Sequence, residues 1–332
     1  MSRTLRAGII GVGRMGRHHV RVLGELPDVE LVAAADIQGR PAKSFRGLEV
    51  VDTVDELLDR GIEMCVLATP TVTHEPIGVQ LAEAGVATLI EKPLAHDTKA
   101  AESIVEAFAR TATLSCVGHI ERFNPSLQEM RHRLAAGELG DLYQVVTRRQ
   151  GPFPDRIVDA GVILDLATHD IDLTAWVTGA TYRSVSARSA HRSGRPHEDL
   201  VSVVAELSSG LIVTHLVNWL SPFKERVTAV TGDKGSLVAD TLTADLTLFR
   251  NGSQQMEWDR VAAFRGVVEG DVIRYAIPKP EPLITELRNF AAAVRGDVEG
   301  QVVTLEEGLA TVRIAEAVRD SAATGETVRM SR

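Results

Sequence analysis

The sequence predicts an α/β protein in two parts: a doubly wound parallel sheet near the N-terminus, then a meander-like, mainly antiparallel sheet with few helices. Three observations carry that prediction. A glycine triplet, Gly11-Val-Gly-Arg-Met-Gly16, closes the first apolar run. Apolar runs then alternate with amphipathic helical patterns as far as Ile90. From Tyr182 to Phe249, short alternating runs follow one another across turn signals such as Ser208-Ser-Gly210 and Gly232-Asp-Lys-Gly235. With 332 residues the chain has room for two domains, each with its own apolar interior.

Composition narrows the function classes. A net charge of -9 argues against a nucleic-acid partner, and no apolar run approaches the length of a membrane span. The N-terminus enters a strand-like segment without a signal core, so a cytoplasmic location is expected. Cys65 and Cys116 sit inside apolar strand-like runs, where buried free thiols are the expectation. No metal site is expected, because His18 and His19 occupy neighbouring helix positions that face apart.

The first strand, Leu5 to Ile10, runs into the glycine triplet, and a helix follows through Leu23. Gly11 permits the tight turn, Gly13 lets a pyrophosphate approach the backbone, and Gly16 allows close helix-sheet packing, with Arg14 and Met15 in the phosphate-facing first turn. The next strand, Leu31 to Ala35, ends at Asp36, 20 residues after Gly16. A carboxylate there accepts both hydroxyls of an adenosine ribose and repels a 2'-phosphate, so NAD is preferred over NADP, a preference Arg40 tempers. Strand Ile62 to Ala68 ends in Thr69-Pro-Thr-Val-Thr-His74, a helix covers about 75 to 84, and strand Ala87 to Ile90 ends in Glu91-Lys-Pro93. Ligands of such sheets lie beyond the strands' carboxyl ends, which marks Thr69, Pro70, His74, Glu91 and Lys92 as cofactor-edge residues.

In the second half, Pro125 starts a helix that runs to about Ala136, and an alternating strand, Leu142 to Arg149, sends Arg148 and Arg149 to opposite sides. One of the two arginines is a candidate for a substrate phosphate or carboxylate. The stretch Asp159 to Leu173 has the spacing of a helix burying one side, which sets Asp165, His169 and Asp172 at i, i+4 and i+7 on a common face. A histidine held one turn from a carboxylate has a fixed tautomer and a tunable pKa, the pattern of an acid/base cluster. The segments 151–156 and 191–199 read as mobile loops that shape substrate choice. Helices are expected over Glu281 to Val294 and Leu305 to Ala322, the latter opened by a capping box, Thr304-Leu-Glu-Glu307. One broad face of the sheet has no local helix to cover it, and a second subunit is the simplest cover.

With Gly11-x-Gly-x-x-Gly16, the Thr-Pro-x-x-x-His run at 69–74, Glu91-Lys-Pro93 and Asp165-x-x-x-His169-x-x-Asp172 in that order, the chain resembles the Gfo/Idh/MocA oxidoreductase family over nearly its whole length. The resemblance implies an NAD-binding Rossmann domain in residues 1–121. It also implies an α/β substrate-binding and oligomerisation domain in 122–332, whose open sheet supports a homodimer or homotetramer. It implies hydride transfer between the nicotinamide and a secondary ring alcohol of a sugar, nucleotide sugar or cyclitol. Lys92 corresponds to the family's catalytic lysine, and Asp165 and His169 to its substrate-facing pair.

The segment Val117-Gly-His-Ile-Glu-Arg-Phe-Asn-Pro125 looks like those of nucleotide-sugar members, particularly UDP-N-acetylglucosamine 3-dehydrogenases, and places Arg122 and Asn124 with Arg148 as substrate contacts. Inositol and free-sugar dehydrogenases are the competing reading. From other classes come a non-catalytic NAD-bound sensor and an NAD-dependent glycosidase. In the dehydrogenase mechanism Lys92 is the base, its pKa lowered by desolvation and the cationic nicotinamide, with His169 as second candidate. Asp165 and Asp172 then orient the imidazole or bind neighbouring hydroxyls, and all of these groups must meet beside the nicotinamide.

Overall fold

The computed structural model describes residues 3–36, 44–45, 47–154, 160–252, 269–297 and 300–330. Arg40, and Asp155 and Arg156 of the first loop read as mobile, lie outside the described residues. The chain divides into two units, Met1–Ile120 with Glu281–Arg313, and Glu121–Pro280 with Ile314–Arg332.

The first unit begins with β1 (Leu5–Ile10), α1 (Arg14–Glu25), β2 (Val29–Ala35), β3 (Ser44–Phe45), β4 (Leu48–Val51), α2 (Val54–Leu58) and β5 (Met64–Leu67). It continues with α3 (His74–Glu83), β6 (Ala87–Glu91), α4 (Thr98–Thr111) and β7 (Ser115–Gly118). Runs such as Met-Cys-Val-Leu in β5 are buried along their length, as a strand covered on both faces must be. Two of the helices, α2 and α4, start at side-chain caps: Thr53 accepts the Glu56 N–H and Asp97 the Ala100 N–H. The strands lie in the order β3-β4-β2-β1-β5-β6-β7, with every neighbouring pair parallel except β3 and β4. The order reverses between β1 and β5. In open sheets of this kind, that switch opens a crevice at the strands' carboxyl ends.

The second unit holds α5 (Pro125–Ala135), β8 (Leu142–Pro152), a wide π-helical turn (Ile163–Ala167) continuing into α6 (Thr168–Thr178), β9 (Tyr182–Ala190) and β10 (Leu200–Leu207). Then come β11 (Ile212–Asn218), β12 (Leu220–Gly232), β13 (Gly235–Asp240), β14 (Asp245–Asn251) and β15 (Glu269–Arg274). The chain goes on through α7 (Pro282–Arg295) and α8 (Leu305–Thr324) to β16 (Val328–Arg329). The nine-stranded sheet has the order β15-β14-β13-β12-β8-β11-β10-β9-β16, and β8 with β11 is its one parallel pair among the described strands.

Alternation sets the two faces of that sheet. Val145, Val203, Val213, Val230, Leu237 and Leu246 are buried in a core they share with Ile171 and Leu173 of α6. On the opposite face, register pairs join Val204, Thr214, Val146, Ala229, Val238 and Thr247 into one row, of which Val204 is 51% exposed.

Assigning the whole chain after residue 121 to one domain is corrected by α7. Its Leu283, Leu287, Phe290 and Ala291 are buried in the same core as Leu5, Ile9 and Leu23 of the first unit. The capping box is present, with Glu307 N–H donating to the Thr304 hydroxyl at 3.2 Å and Thr304 N–H to Glu307 Oε2 at 2.9 Å.

Candidate functional site

Three glycines shape the turn out of β1, each in a different way. Gly11 has φ +91°, and a Cβ there would stand 2.5 Å from the Ala68 carbonyl oxygen. At Gly16 a Cβ would meet the Gly11 carbonyl oxygen at 1.8 Å, so only glycine lets α1 start this close to the strand. Among the described residues, nothing lies within 4 Å of a Cβ on Gly13. Packing therefore does not demand a glycine at 13, whereas a pyrophosphate seated on the first turn of α1 would. Arg14 is exposed and Met15 half-buried in that turn. Asp36 directly follows β2 and is buried, with Oδ2 accepting the Val12 N–H at 3.2 Å. The carboxylate is thus fixed against the glycine turn, and these residues fit a dinucleotide. After β5, the Thr73 hydroxyl lies 2.7 Å from both the Thr69 hydroxyl and the Pro70 carbonyl oxygen, which shapes the loop facing Gly11.

Two residues read as cofactor contacts also hold the backbone in place. His74 is buried, its Nε2 3.0 Å from the Thr69 carbonyl oxygen and its Nδ1 3.1 and 3.2 Å from those of Pro93 and Leu94. It ties the loop after β5 to the chain after Lys92, and burial holds its pKa below the ordinary histidine value against the pull of those carbonyls and of Glu91. Glu91 is also buried, with Oε1 accepting the His19 Nε2–H at 2.7 Å and Oε2 the Lys92 backbone N–H at 3.2 Å. Burial raises its pKa, but the His19 hydrogen bond and the charges of His19 and Lys92 outweigh that and leave it below the usual carboxylate range. Lys92 itself is half-buried, joined to Pro93 by a cis peptide.

In the second unit the expected regular helix is interrupted. Ile163–Ala167 forms a π-helical turn that carries Asp165, and α6 begins only at Thr168, so Asp165 and His169 do not share one uniform helical face. Both side chains are half-buried. Glu198 caps this segment: its backbone carbonyl accepts the Val162 N–H and its Oε1 the Ile163 N–H, each at 3.0 Å, placing negative charge at the helix N-terminus. A Cβ on Gly161 would stand 2.0 Å from that Oε1. The loop 191–199, read as mobile, is further pinned by Asp199, whose carboxylate accepts the N–H groups of Arg192 and Ser193.

The other acidic residues of α6 face inward. Asp172, expected beside His169, instead holds Arg122, which donates from Nε at 2.9 Å and from Nη2 at 2.6 Å. Arg122 is therefore a buried ion-pair partner rather than an open anion site. Asn124, also read as a substrate contact, caps α5 through the Ser126 N–H and donates to the Thr241 carbonyl. Arg149 is buried between Asp170 and Glu121, whereas Arg148, on the other side of β8, is half-exposed and paired with Glu225. Burial pushes the Asp170 carboxyl up to about 6, with Glu121 adding and Arg149 opposing. Glu121 is held below its usual range, because Arg149 and Arg226 outweigh its burial.

Sequence reasoning missed Asp170, Glu121, His19 and Glu286 as buried titratable side chains. The signal for Arg149 was present, since it shares the inward parity of Val145 and Thr147. Among the described residues, no group of three or more His, Cys, Asp or Glu side chains is placed to hold a metal ion, and no helix is long and apolar enough to cross a membrane.

Residues 5–119 match the profile of an oxidoreductase family with an NAD-binding Rossmann fold, and residues 127–238 that of the GFO/IDH/MocA C-terminal domain. Inositol 2-dehydrogenase 2 of Saccharopolyspora erythraea is 30% identical over 98% of this chain and 95% of its own length. UDP-N-acetylglucosamine 3-dehydrogenase of Acidithiobacillus ferrooxidans is 34% identical over 53% of this chain and 55% of its own. A crystal structure of GenD2 from gentamicin A biosynthesis, in complex with NAD, superposes with a TM-score of 0.81 at 26% identity, covering 100% of this chain and 98% of that one.

Proposed function

Because the chain belongs to the Gfo/Idh/MocA oxidoreductase family and carries its NAD-binding Rossmann domain, we propose that it exchanges a hydride between NAD and one secondary ring alcohol of an uncharged polyol, an inositol or a free sugar. The observation that carries the choice of an uncharged ring is the engagement of the arginines. Arg122 is bound by Asp172, Arg149 by Asp170 and Glu121, and Arg148 by Glu225. A nucleotide diphosphate brings two negative charges that would have to compete with those carboxylates. A nucleotide sugar is the second reading, favoured by the stretch Val117 to Pro125 and by the likeness to the UDP-N-acetylglucosamine 3-dehydrogenase.

Bound NAD supplies the hydride acceptor. As the hydride leaves the carbinol carbon, the hydroxyl proton must leave with it, and Lys92 is the group assigned to receive it. Asp165 and His169 bind and orient the ring's hydroxyls, and Asp36 and the glycine turn hold the dinucleotide.

A thermal-shift panel with NAD present tests the substrate class. A ligand at about a hundred times its dissociation constant adds about 2.7 kcal/mol of stability. Inositols or free sugars are expected to raise Tm while UDP-sugars leave it unchanged, and the reverse pattern would install the nucleotide-sugar reading. The row through exposed Val204 and half-buried Val146 and Val238 supports self-association through the nine-stranded sheet. Val146→Asp with Val204→Asp is expected to reduce the light-scattering mass to that of a monomer; a wild-type protein already monomeric would rule this out.

A further inference from the structure

We propose that His19 is a positioning residue for Lys92, acting through the carboxylate of Glu91. The inference rests on the reading of Lys92 as the proton acceptor, although its structural part stands without it. His19 lies on the inward side of α1 and is fully buried, a placement that costs about 1–3 kcal/mol unless the ring is hydrogen-bonded. Its Nε2 meets Glu91 Oε1 at 2.7 Å, and the second oxygen of that carboxylate takes the Lys92 backbone N–H at 3.2 Å. One carboxylate thus joins the phosphate-side helix to the peptide from which Lys92 departs. Two residues further on, His74 faces the carbonyls of Pro93 and Leu94. The backbone of Lys92-Pro93-Leu94 is therefore held at both ends.

A second buried carboxyl shows why the histidine matters. Glu286 of α7 is 2% exposed, neither of its side-chain oxygens has a hydrogen-bond partner among the described residues, and its pKa is driven well above the ordinary value by burial and by the charge on Glu91. Two carboxyls that repel one another in a dry interior do not both stay charged. The proton goes to Glu286 and the charge stays on Glu91, where the His19 N–H selects it. Without that N–H the proton is free to shift to Glu91, and the Lys92 amide loses an anionic acceptor.

The test uses the full-length protein with His19→Leu and His19→Gln, since a glutamine amide reaches about as far as Nε2 and restores an N–H donor. Amide hydrogen exchange at Lys92, which needs no substrate, is the first readout. His19→Leu is expected to speed it about tenfold, the equivalent of one lost hydrogen bond, while His19→Gln stays within about threefold of wild type. With NAD and the polyol that raises Tm, kcat is expected to fall about tenfold to a hundredfold in His19→Leu, with KM and NAD affinity within about threefold, and to recover in His19→Gln.

Unchanged exchange in His19→Leu, or a glutamine variant as impaired as the leucine one, would overturn the proposal. Faster exchange with unchanged kcat would keep the clamp but reject Lys92 as the base. If His19→Leu does not fold, Glu91→Gln, which keeps the size and removes the charge, is expected to give the same faster exchange, and slow exchange there would count against the clamp.

Discussion

Lys92→Ala is expected to lower turnover by about two to four orders of magnitude while NAD binds within about threefold of wild type. The expectation follows from what holds the site together. The strand end is fixed by His19, Glu91 and His74, and the dinucleotide turn by Gly11, Gly16 and Asp36, so the strand end and the dinucleotide turn both have supports besides the lysine amine. Steady-state kinetics with a parallel NAD titration decide the matter. If NAD affinity collapsed along with turnover, Lys92 would be a cofactor holder, and the proton would have to leave by another route, with His169 the next candidate.

Arg149→Met is expected to destabilise the protein by about 3–5 kcal/mol at neutral pH, because it strands Glu121 and Asp170 in the interior. Arg226 remains, but at 3.6 Å from Glu121 and partly exposed it replaces only a fraction of the lost charge. The pH dependence has a definite sign. The folded-state pKa of Asp170 is about 6 against an ordinary 3.8, so the native state binds that proton more tightly than the unfolded chain does. Its contribution to stability is complete near pH 4 and is lost as pH rises through 6. Removing the cation that opposes this shift moves the loss to higher pH still. Glu121, held below 4.5, acts outside this range in the wild type. The gap in urea midpoint between variant and wild type is therefore expected to be largest at pH 8 and to narrow toward pH 5. An equal gap at both would show that packing, and not stranded charge, sets the cost.

Much of the architecture was legible because apolar periodicity is a local signal. β1 falls on the first apolar run and β9 and β10 on the residues that alternation marks out, and the glycine spacing marks the dinucleotide turn. The π-helical turn at Ile163–Ala167 was not legible, since its apolar residues also fit a regular helix and its shape depends on Glu198, 33 residues after Asp165. Within the site, periodicity places residues at the strand ends but does not say which side chains turn inward. Glu91 and His74 stand where a cofactor contact is expected, and their hydrogen bonds to His19 and to backbone carbonyls join residues that no local pattern pairs. Asp172 had the spacing of an acid/base partner, but the pairing with Arg122 spans 50 residues of chain, which no periodicity reports. The helix at Glu281 read as structural without any indication of which domain it completes.

That helix has a consequence for how the protein is made. Leu283, Leu287 and Phe290 complete the first unit's core, yet they leave the ribosome only after the whole of Glu121–Pro280 has been synthesised. Domains usually fold in order of emergence, N-terminal first. Here the earlier-born unit must wait with an open apolar flank while the later-born one is translated, which makes the nascent chain dependent on chaperone shielding over that stretch of elongation.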